Sequence, residues 1–318
     1  MPVRPFRLPQ RFRLLFVAGM VVLSVAFVGG CWVPDRTPSV SQTLPADFLD
    51  FVRPDTSRAV RVSPGVWYRY LWSPVGPWAL HLVEADLSQC HLGLQVVRAP
   101  GDGGTGGAHA TVTRLVAMAG RDDSLPVAVN GDFFTPEGAP LGPEVTAAGA
   151  RSLRSRPVVA WSPASGPWIG TADVRGDTLL VGWGRVGDDA RVVGGYPELL
   201  DDGAPVGDLL VSDNPGFAAT RHPRTALGFD PTSRRLWLVV VDGRQGGYSA
   251  GMTLPELARL FGTLGAREAI NLDGGGSSVL VVGGRAVSRP SDPAGERPVV
   301  NALALRVDEA YCVPAGSR

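Results

Sequence analysis

Short apolar runs broken by Gly, Pro and Asp dominate the chain beyond its first 65 residues. Runs at 66–72, 78–85 and 92–99 predict three strands in quick succession. Helical spacing first appears at 110–119, where Val112, Leu115, Val116 and Ala119 fall on one face. A short apolar strand at 126–130 runs into Asn-Gly-Asp-Phe-Phe, and the segment 156–211 has the brief apolar runs and turn residues of β-hairpins. The run LWLVVV at 236–241 is apolar enough for a strand buried on both faces. The clearest helix starts at Thr253, where Thr-Leu-Pro-Glu is a capping box. Leu254, Leu257, Ala258 and Phe261 form its buried stripe, and Gly265 ends it. A strand at 269–272, a tight hairpin around Gly283-Gly284 and a closing strand at 299–307 follow. The pattern predicts an α+β protein with a mixed, strand-rich sheet core and a few helices. It includes one strand-helix-strand unit built from 236–241, the Thr253 helix and 269–272.

If those two strands are parallel, Asp242 and Asp273 emerge at the same edge of the sheet, where α/β units place their sites. Asp273 belongs to Asn-Leu-Asp-Gly-Gly-Gly-Ser-Ser at 271–278. Three glycines there remove every side chain between the carboxylate and the hydroxyls of Ser277 and Ser278, so the backbone can turn sharply and a ligand can approach the main chain. A glycine-rich turn capped by Asp and Ser is the plainer reading of the same residues. Arg244, in the Asp-Gly-Arg-Gln that begins at Asp242, brings a fork-shaped donor to the same edge. Its plainer reading is a solvated turn.

Composition narrows the chemistry. The 318 residues are 44% hydrophobic and 19% charged, with 41 Gly and 28 Pro, which fits a turn-rich globular protein. The formal net charge is zero and no basic stripe interleaved with aromatics appears beyond the N-terminus, which removes the electrostatic case for nucleic acid. The chain contains no Lys, so Arg supplies all 30 fixed positive charges. Schiff-base, Ser-Lys and P-loop lysine chemistry are thereby excluded, and a phosphate would be held by Arg, backbone N–H groups or a metal.

Arg4, Arg7, Arg11 and Arg13 precede an apolar and small-residue run over 14–30, the pattern of an export signal. Cys31, directly after Val28-Gly29-Gly30, resembles a bacterial lipobox and is the expected lipidation site. An uncleaved anchor is the rival, since the run is close to the roughly 20 residues that a bilayer core requires. Either way the protein is expected to be exported and tethered to a membrane on its periplasmic or extracellular face. Cys90 and Cys312 remain, and an oxidising compartment permits a disulfide between them. Residues 1–31 are thus read as signal peptide or anchor, and 32–58, rich in Pro, Ser, Thr and Asp, as a spacer.

One motif competes. Gly101-Asp-Gly-Gly-Thr-Gly106 fits G-x-G-x-x-G between a strand and a helix, the context of a dinucleotide fingerprint. Pro100 intrudes, glycine is dense enough there for chance matches, and the next strand ends in Asn130 rather than an acid. A surface loop is the preferred reading, with dinucleotide binding as a remote alternative.

Six blocks carry a family resemblance: VNGDFF at 129–134, VGGYPELLDDG at 193–203, RHPRTALG at 221–228, VDGR at 241–244, NLDGGGSS at 271–278 and ERPVVN at 296–301. In this order they resemble the phosphodiester glycosidase family, over about residues 125 to 307. The resemblance implies a catalytic core at 125–310, with 59–124 as the N-terminal part of the same domain. It also implies hydrolysis of a sugar-1-phosphodiester at the glycosidic C–O bond, on a cell-envelope or extracellular glycan.

Glycosidases generally use one carboxylic acid to protonate the leaving oxygen and a second carboxylate as nucleophile or base. Asp273 and Asp242 are the candidate pair, with Asp132 and Glu296 as alternatives for the second place. A phosphomonoester leaves as a stabilised anion, so fixed positive charge matters more than strong acid assistance. Arg224 and Arg244 are the candidate clamp, and Asn130, Asn271, Ser277 and Ser278 would orient sugar hydroxyls or phosphate oxygens. Arg224 reads equally well as a structural ion-pair partner, and His222 as a loop histidine. No His/Cys spacing suggests zinc and no calcium-loop pattern appears. No metal or cofactor is assigned, with Ca²⁺ or Mg²⁺ on clustered Asp and Asn oxygens left open. The same groups would also suit a non-catalytic, lipid-anchored module holding an anionic glycan. Retention of both acids favours the enzyme, because idle carboxylates would repel an anion.

Overall fold

The protein is described here by a computed structural model covering residues 43–98, 108–119 and 124–312. The Arg-rich start, Cys31 and the glycine loop at 101–106 lie outside the described residues. Among those described, no helix is long and apolar enough to cross a membrane.

The LWLVVV run forms the strand Arg235–Val241 inside an eight-stranded sheet. Its two-residue period sends Leu236, Leu238 and Val240 to one face and Trp237, Val239 and Val241 to the other, all of them buried. Both faces therefore need cover. Helices α1 (Ala46–Val52) and α4 (Leu254–Leu264) supply it on one side, packing Phe48, Val52, Leu257 and Phe261 against Trp237, Val239, Leu80 and Leu82. On the other side a five-stranded sheet presents Leu94, Val96, Val127, Val129, Leu303 and Leu305. Ala128, Ala302 and Ala304 line the outer face of that second sheet, and their small size lets α2 (Val112–Ala119) dock through Val112, Leu115 and Val116. The layers run helix, sheet, sheet, helix. A seven-stranded sheet has its own core around Val158, Ala160, Ala172 and Val192, and joins the central one through Val159, Trp161, Ile169 and Val193.

The predicted cap of α4 forms as a reciprocal pair: Glu256 N–H donates to Thr253 Oγ1 and Thr253 N–H donates to the Glu256 carboxylate. Gly265 closes the helix at φ 85°, in the left-handed region that favours glycine. The strands flanking α4, Arg235–Val241 and Glu268–Asn271, run in the same direction but are not neighbours. Arg224–Phe229 lies between them and pairs antiparallel with both. Every ladder between described strands is antiparallel, so the α+β protein has no parallel neighbours where the pattern suggested a mixed sheet. The register sets Arg224 opposite Val241 and Ala226 opposite Asn271. Asp242, Arg224 and Asp273 consequently leave the sheet at one edge.

The folded unit begins earlier than composition suggested. Residues 46–58, expected at the end of the spacer, form α1 and the start of the strand Thr56–Ser63, with Phe48 and Val52 fully buried. Pro45 occupies the N-cap of α1 and Pro54 follows the left-handed Arg53 that ends it, so these prolines punctuate a helix. Cys90 and Cys312 form a disulfide across 222 residues. Closing so long a loop restricts the unfolded chain by about 5 kcal/mol in the chain-entropy picture.

Candidate active site

The site is built where the turn after Glu268–Asn271 meets the end of Val127–Asn130. Asp273 N–H donates to the carbonyl of Gly131 (3.0 Å), and Asn130 Nδ2 donates to the carbonyl of Asp273 (2.6 Å). Asn130 Oδ1 accepts from Thr225 Oγ1 (2.7 Å) and the Val279 N–H (3.2 Å). Fully buried and engaged at both ends, Asn130 clips the two segments together.

This clip brings Asp132 alongside Asp273. Asp132 is 1% exposed, its Oδ2 accepts from the Gly142 N–H at 2.6 Å, and its Oδ1 has no partner among the described residues. Gly194 is needed beside it, since a Cβ there would stand 2.4 Å from Asp132 Oδ2. Burial pushes the Asp132 carboxyl up to about 7. The Gly142 N–H and Arg156 oppose that shift, and the charge of Asp273 adds to it. Asp273 is half-buried at the cavity wall and is raised to about 6, again chiefly by desolvation, with the Ser277 hydroxyl, the Gly274 N–H and Arg297 holding it down. Two neighbouring carboxyls are thus moved towards neutrality from the same ordinary value.

Asp273 lines a cavity of about 240 Å³ with Phe133, Phe217, His222, Arg224, Arg244 and Arg297. Glycines at 274–276 make room for the guanidinium groups: a Cβ on Gly275 would lie 3.1 Å from Arg244 Nη1, and one on Gly276 would lie 2.2 Å from Arg297 Nη2. Arg297 is paired with Asp292 at 2.8 Å. Arg224 is 1% exposed and has no carboxylate partner among the described residues; its Nε donates to the Met252 carbonyl (2.9 Å) and its Nη2 to those of Phe217 (2.5 Å) and Thr220 (3.3 Å). Desolvation, then the charge of Arg244, pulls Arg224 down to about 10. Arg244 is exposed and likewise has no carboxylate partner among the described residues; its guanidinium reaches His222 Nδ1. Two larger hollows, of about 500 and 450 Å³, are bordered by Asp47, Asp177, Asp188 and Asp208, which are all exposed. Of these three cavities, the smallest is the one lined by a carboxyl pushed towards neutrality, that of Asp273.

Asp242 reaches the expected edge but does not line this cavity. Its side chain turns inward at 1% exposure, where its carboxylate accepts from Tyr248 OH (3.1 Å) and the Arg289 N–H (3.0 Å) and meets His81 Nε2 at 3.1 Å. His81, itself bonded to Tyr68 OH at 2.9 Å, lies opposite Val240 in the ladder, and this neighbour draws the carboxylate off the cavity side. Asp242→Ala is expected to lower stability by about 3–5 kcal/mol, because it strands three buried or half-buried partners. Asp242→Asn should cost less, and denaturant unfolding of the two variants checks the order.

Glu296 is also placed elsewhere: it accepts from the Thr113 N–H (3.1 Å) and Thr113 Oγ1 (2.5 Å) at the start of α2. Asn271 donates through Nδ2 to the Tyr196 carbonyl at 2.7 Å, leaving its buried Oδ1 unpartnered. Ser277 lies against Asp273, and Ser278 is buried behind it. Among the described residues, the acids whose spacing suits a metal ion are Glu198, Asp201 and Glu268, none of which lines the cavity. Sequence reasoning passed over Arg297, next to Glu296 in the same block. It also passed over Arg156, which lies 4.9 Å from the Tyr196 ring centroid and 5.9 Å from that of Phe133. Arg297 could have been found by scoring its whole block; Arg156 carries no local signal.

A family model described as phosphodiester glycosidase matches residues 123–306, more than half of the chain. The chain belongs to the phosphodiester glycosidase family. Solved structures share its fold. The zebrafish N-acetylglucosamine-1-phosphodiester alpha-N-acetylglucosaminidase catalytic domain, solved as auto-inhibited by its pro-peptide, is similar at TM-score 0.56 and 20% identity over 79% of this chain and 87% of that one. A hypothetical protein from Synechocystis gives 0.59 and 18% over 79% and 64%. A Burkholderia pseudomallei protein gives 0.54 and 20% over 73% and 74%. In sequence, the SPbeta prophage-derived protein YomE of Bacillus subtilis is 39% identical over 85 residues, which span 27% of this chain and only 13% of YomE.

Proposed function

We propose that this family member hydrolyses a sugar-1-phosphodiester at its glycosidic C–O bond, releasing free sugar and a phosphomonoester. The observation that carries the reading is the raised carboxyl of Asp273 in the wall of a small cavity whose Arg224 and Arg244 have no carboxylate partner among the described residues, with the buried, more strongly raised carboxyl of Asp132 within electrostatic reach of Asp273. Asp132, the more strongly raised, does not itself line the cavity but adjoins Phe133 of its wall, and is assigned the proton that passes to the leaving phosphate oxygen. Asp273 is assigned the ionised form that engages the anomeric carbon or the attacking water. The C1–O bond breaks, water supplies the new oxygen on C1, and its second proton restores the acid. Arg224 and Arg244 would bind the phosphate oxygens, where charge grows as the bond breaks.

The proposal extends to location: the export-signal pattern and Cys31 support a membrane-tethered protein outside the cytoplasm acting on an envelope or extracellular glycan, and the Cys90–Cys312 disulfide suits that compartment. A panel of synthetic α-sugar-1-phosphodiesters carrying N-acetylglucosamine, glucose or galactose tests the activity, with and without EDTA or calcium. Release of free sugar and phosphomonoester is the expected result. Saturable binding across the panel without turnover would overturn it in favour of the glycan-binding module.

A further inference from the structure

We infer that His222 is a positioning residue that fixes the guanidinium of Arg244 over the cavity, as a neutral imidazole of one tautomer. The inference rests on the phosphate-binding role proposed above. His222 Nε2 lies 3.0 Å from the Gly216 carbonyl, at the helical turn α3 (Pro215–Ala218). A carbonyl can only accept, so Nε2 carries the hydrogen and Nδ1 keeps its lone pair. Arg244 Nη2, at 3.2 Å, and Nε, at 3.4 Å, donate to that lone pair. The protonation state agrees, because desolvation first, and then the Arg224 and Arg244 charges, hold the His222 pKa below its ordinary value, against the pull of the Gly216 carbonyl.

Both ends of Arg244 are thereby specified. Its backbone takes φ 57°, an uncommon conformation for a residue with a side chain. That conformation belongs to a loop closed by the Gln245–Ser249 and Arg244–Ala250 backbone bonds and tied to Asp242, whose carbonyl accepts from Ser249 Oγ. His222 is anchored as firmly, exchanging two backbone bonds with Met252 (3.2 and 3.0 Å). Gly251 permits this approach, since a Cβ there would fall 2.2 Å from the His222 carbonyl oxygen. An exposed arginine would otherwise sample many rotamers, and ordering it on binding costs free energy. The imidazole removes that cost beforehand without neutralising the guanidinium, which a carboxylate in its place would do.

A double-mutant cycle tests the inference, using the full chain, its Asp273→Asn variant for binding, and KM and kcat on a cleaved phosphodiester. His222→Ala is expected to raise KM roughly tenfold, the weight of one charge-assisted hydrogen bond, with kcat little changed. His222→Asn, which keeps an acceptor near the Nδ1 position, should recover most of the loss. In an Arg244→Ala background His222→Ala should add almost nothing, and this absence separates positioning from a general structural role. An equal penalty in both backgrounds, or no change in KM on His222→Ala, would overturn the inference. The same four proteins titrated with sulfate by calorimetry keep it testable if no diester is hydrolysed, since the coupling would then appear in the sulfate Kd.

Discussion

Asp273→Asn should lower turnover by about 10²–10⁴-fold, the usual weight of a positioned base or nucleophile, and Asp132→Asn by less, since the phosphate leaves as a stabilised anion, while both variants stay folded. Both should also be more stable than the parent at neutral and alkaline pH. The reason is linkage. Both carboxyls have pKa values raised in the folded protein, to about 7 and about 6, above the ordinary Asp value that the unfolded chain retains. The folded state therefore holds protons that the unfolded state has released. The stability they contribute is fully present below about pH 4 and is lost as pH rises through 6 and 7. An uncharged amide escapes that penalty, so each variant should gain on the order of 3 kcal/mol over the parent at pH 8, with the difference closing by about pH 4. Thermal unfolding across this range checks the sign, and a variant that is destabilised at pH 8 would argue against unfavourably buried carboxylates. Turnover should follow a narrow bell, since it needs Asp132 protonated and Asp273 ionised, with limbs near 6 and 7 that belong to the coupled pair. Asp242→Asn should retain most of the activity, because its carboxylate serves the loop behind Arg244.

How far this site could be read from sequence depends on which contacts are local. The LWLVVV strand, the Thr253–Gly265 helix and the glycine turn after Asp273 each depend on spacing within a dozen residues, and each forms as the pattern indicates. The turn at Gly283-Gly284 belongs with them, its two positive φ values being those of a tight hairpin turn. Asp242 shows where local reasoning stops. Its position at the correct sheet edge followed from chain order, but the side-chain direction was decided by His81, 161 residues away in sequence. The approach of Asp132 to Asp273 likewise depends on Asn130 crossing to the glycine turn and on Gly194 clearing space, neither of which leaves a trace in periodicity. In the same way, prolines that look like a spacer at 45 and 54 turn out to bracket α1, because Phe48 and Val52 find their cover on a sheet formed by residues far along the chain.

Arg224→Met should separate binding of phosphate from binding of sugar. A buried guanidinium held by three carbonyls and the Phe217 ring, with no carboxylate partner among the described residues, is an expensive feature, and desolvation shows that expense by drawing its pKa down to about 10. An anion in the cavity would balance that charge. Loss of one charge-assisted contact is worth about 1.5–3 kcal/mol, so kcat/KM on a sugar-1-phosphodiester should fall roughly 10- to 150-fold, whereas affinity for the matching free sugar should hardly move. Arg224→Lys should not restore it, since one ammonium cannot reach the Met252, Phe217 and Thr220 carbonyls in the plane that the guanidinium spans and still offer an N–H to the ligand. Sulfate should raise the Tm of the parent protein by ordinary binding linkage, and that shift should shrink in Arg224→Met. If the Tm shift persists undiminished and the diester is cleaved as before, Arg224 is a structural strut for α3 and the Met252 segment. In that case the anion must be held by Arg244 and Arg297, of which Arg297 is already committed to Asp292.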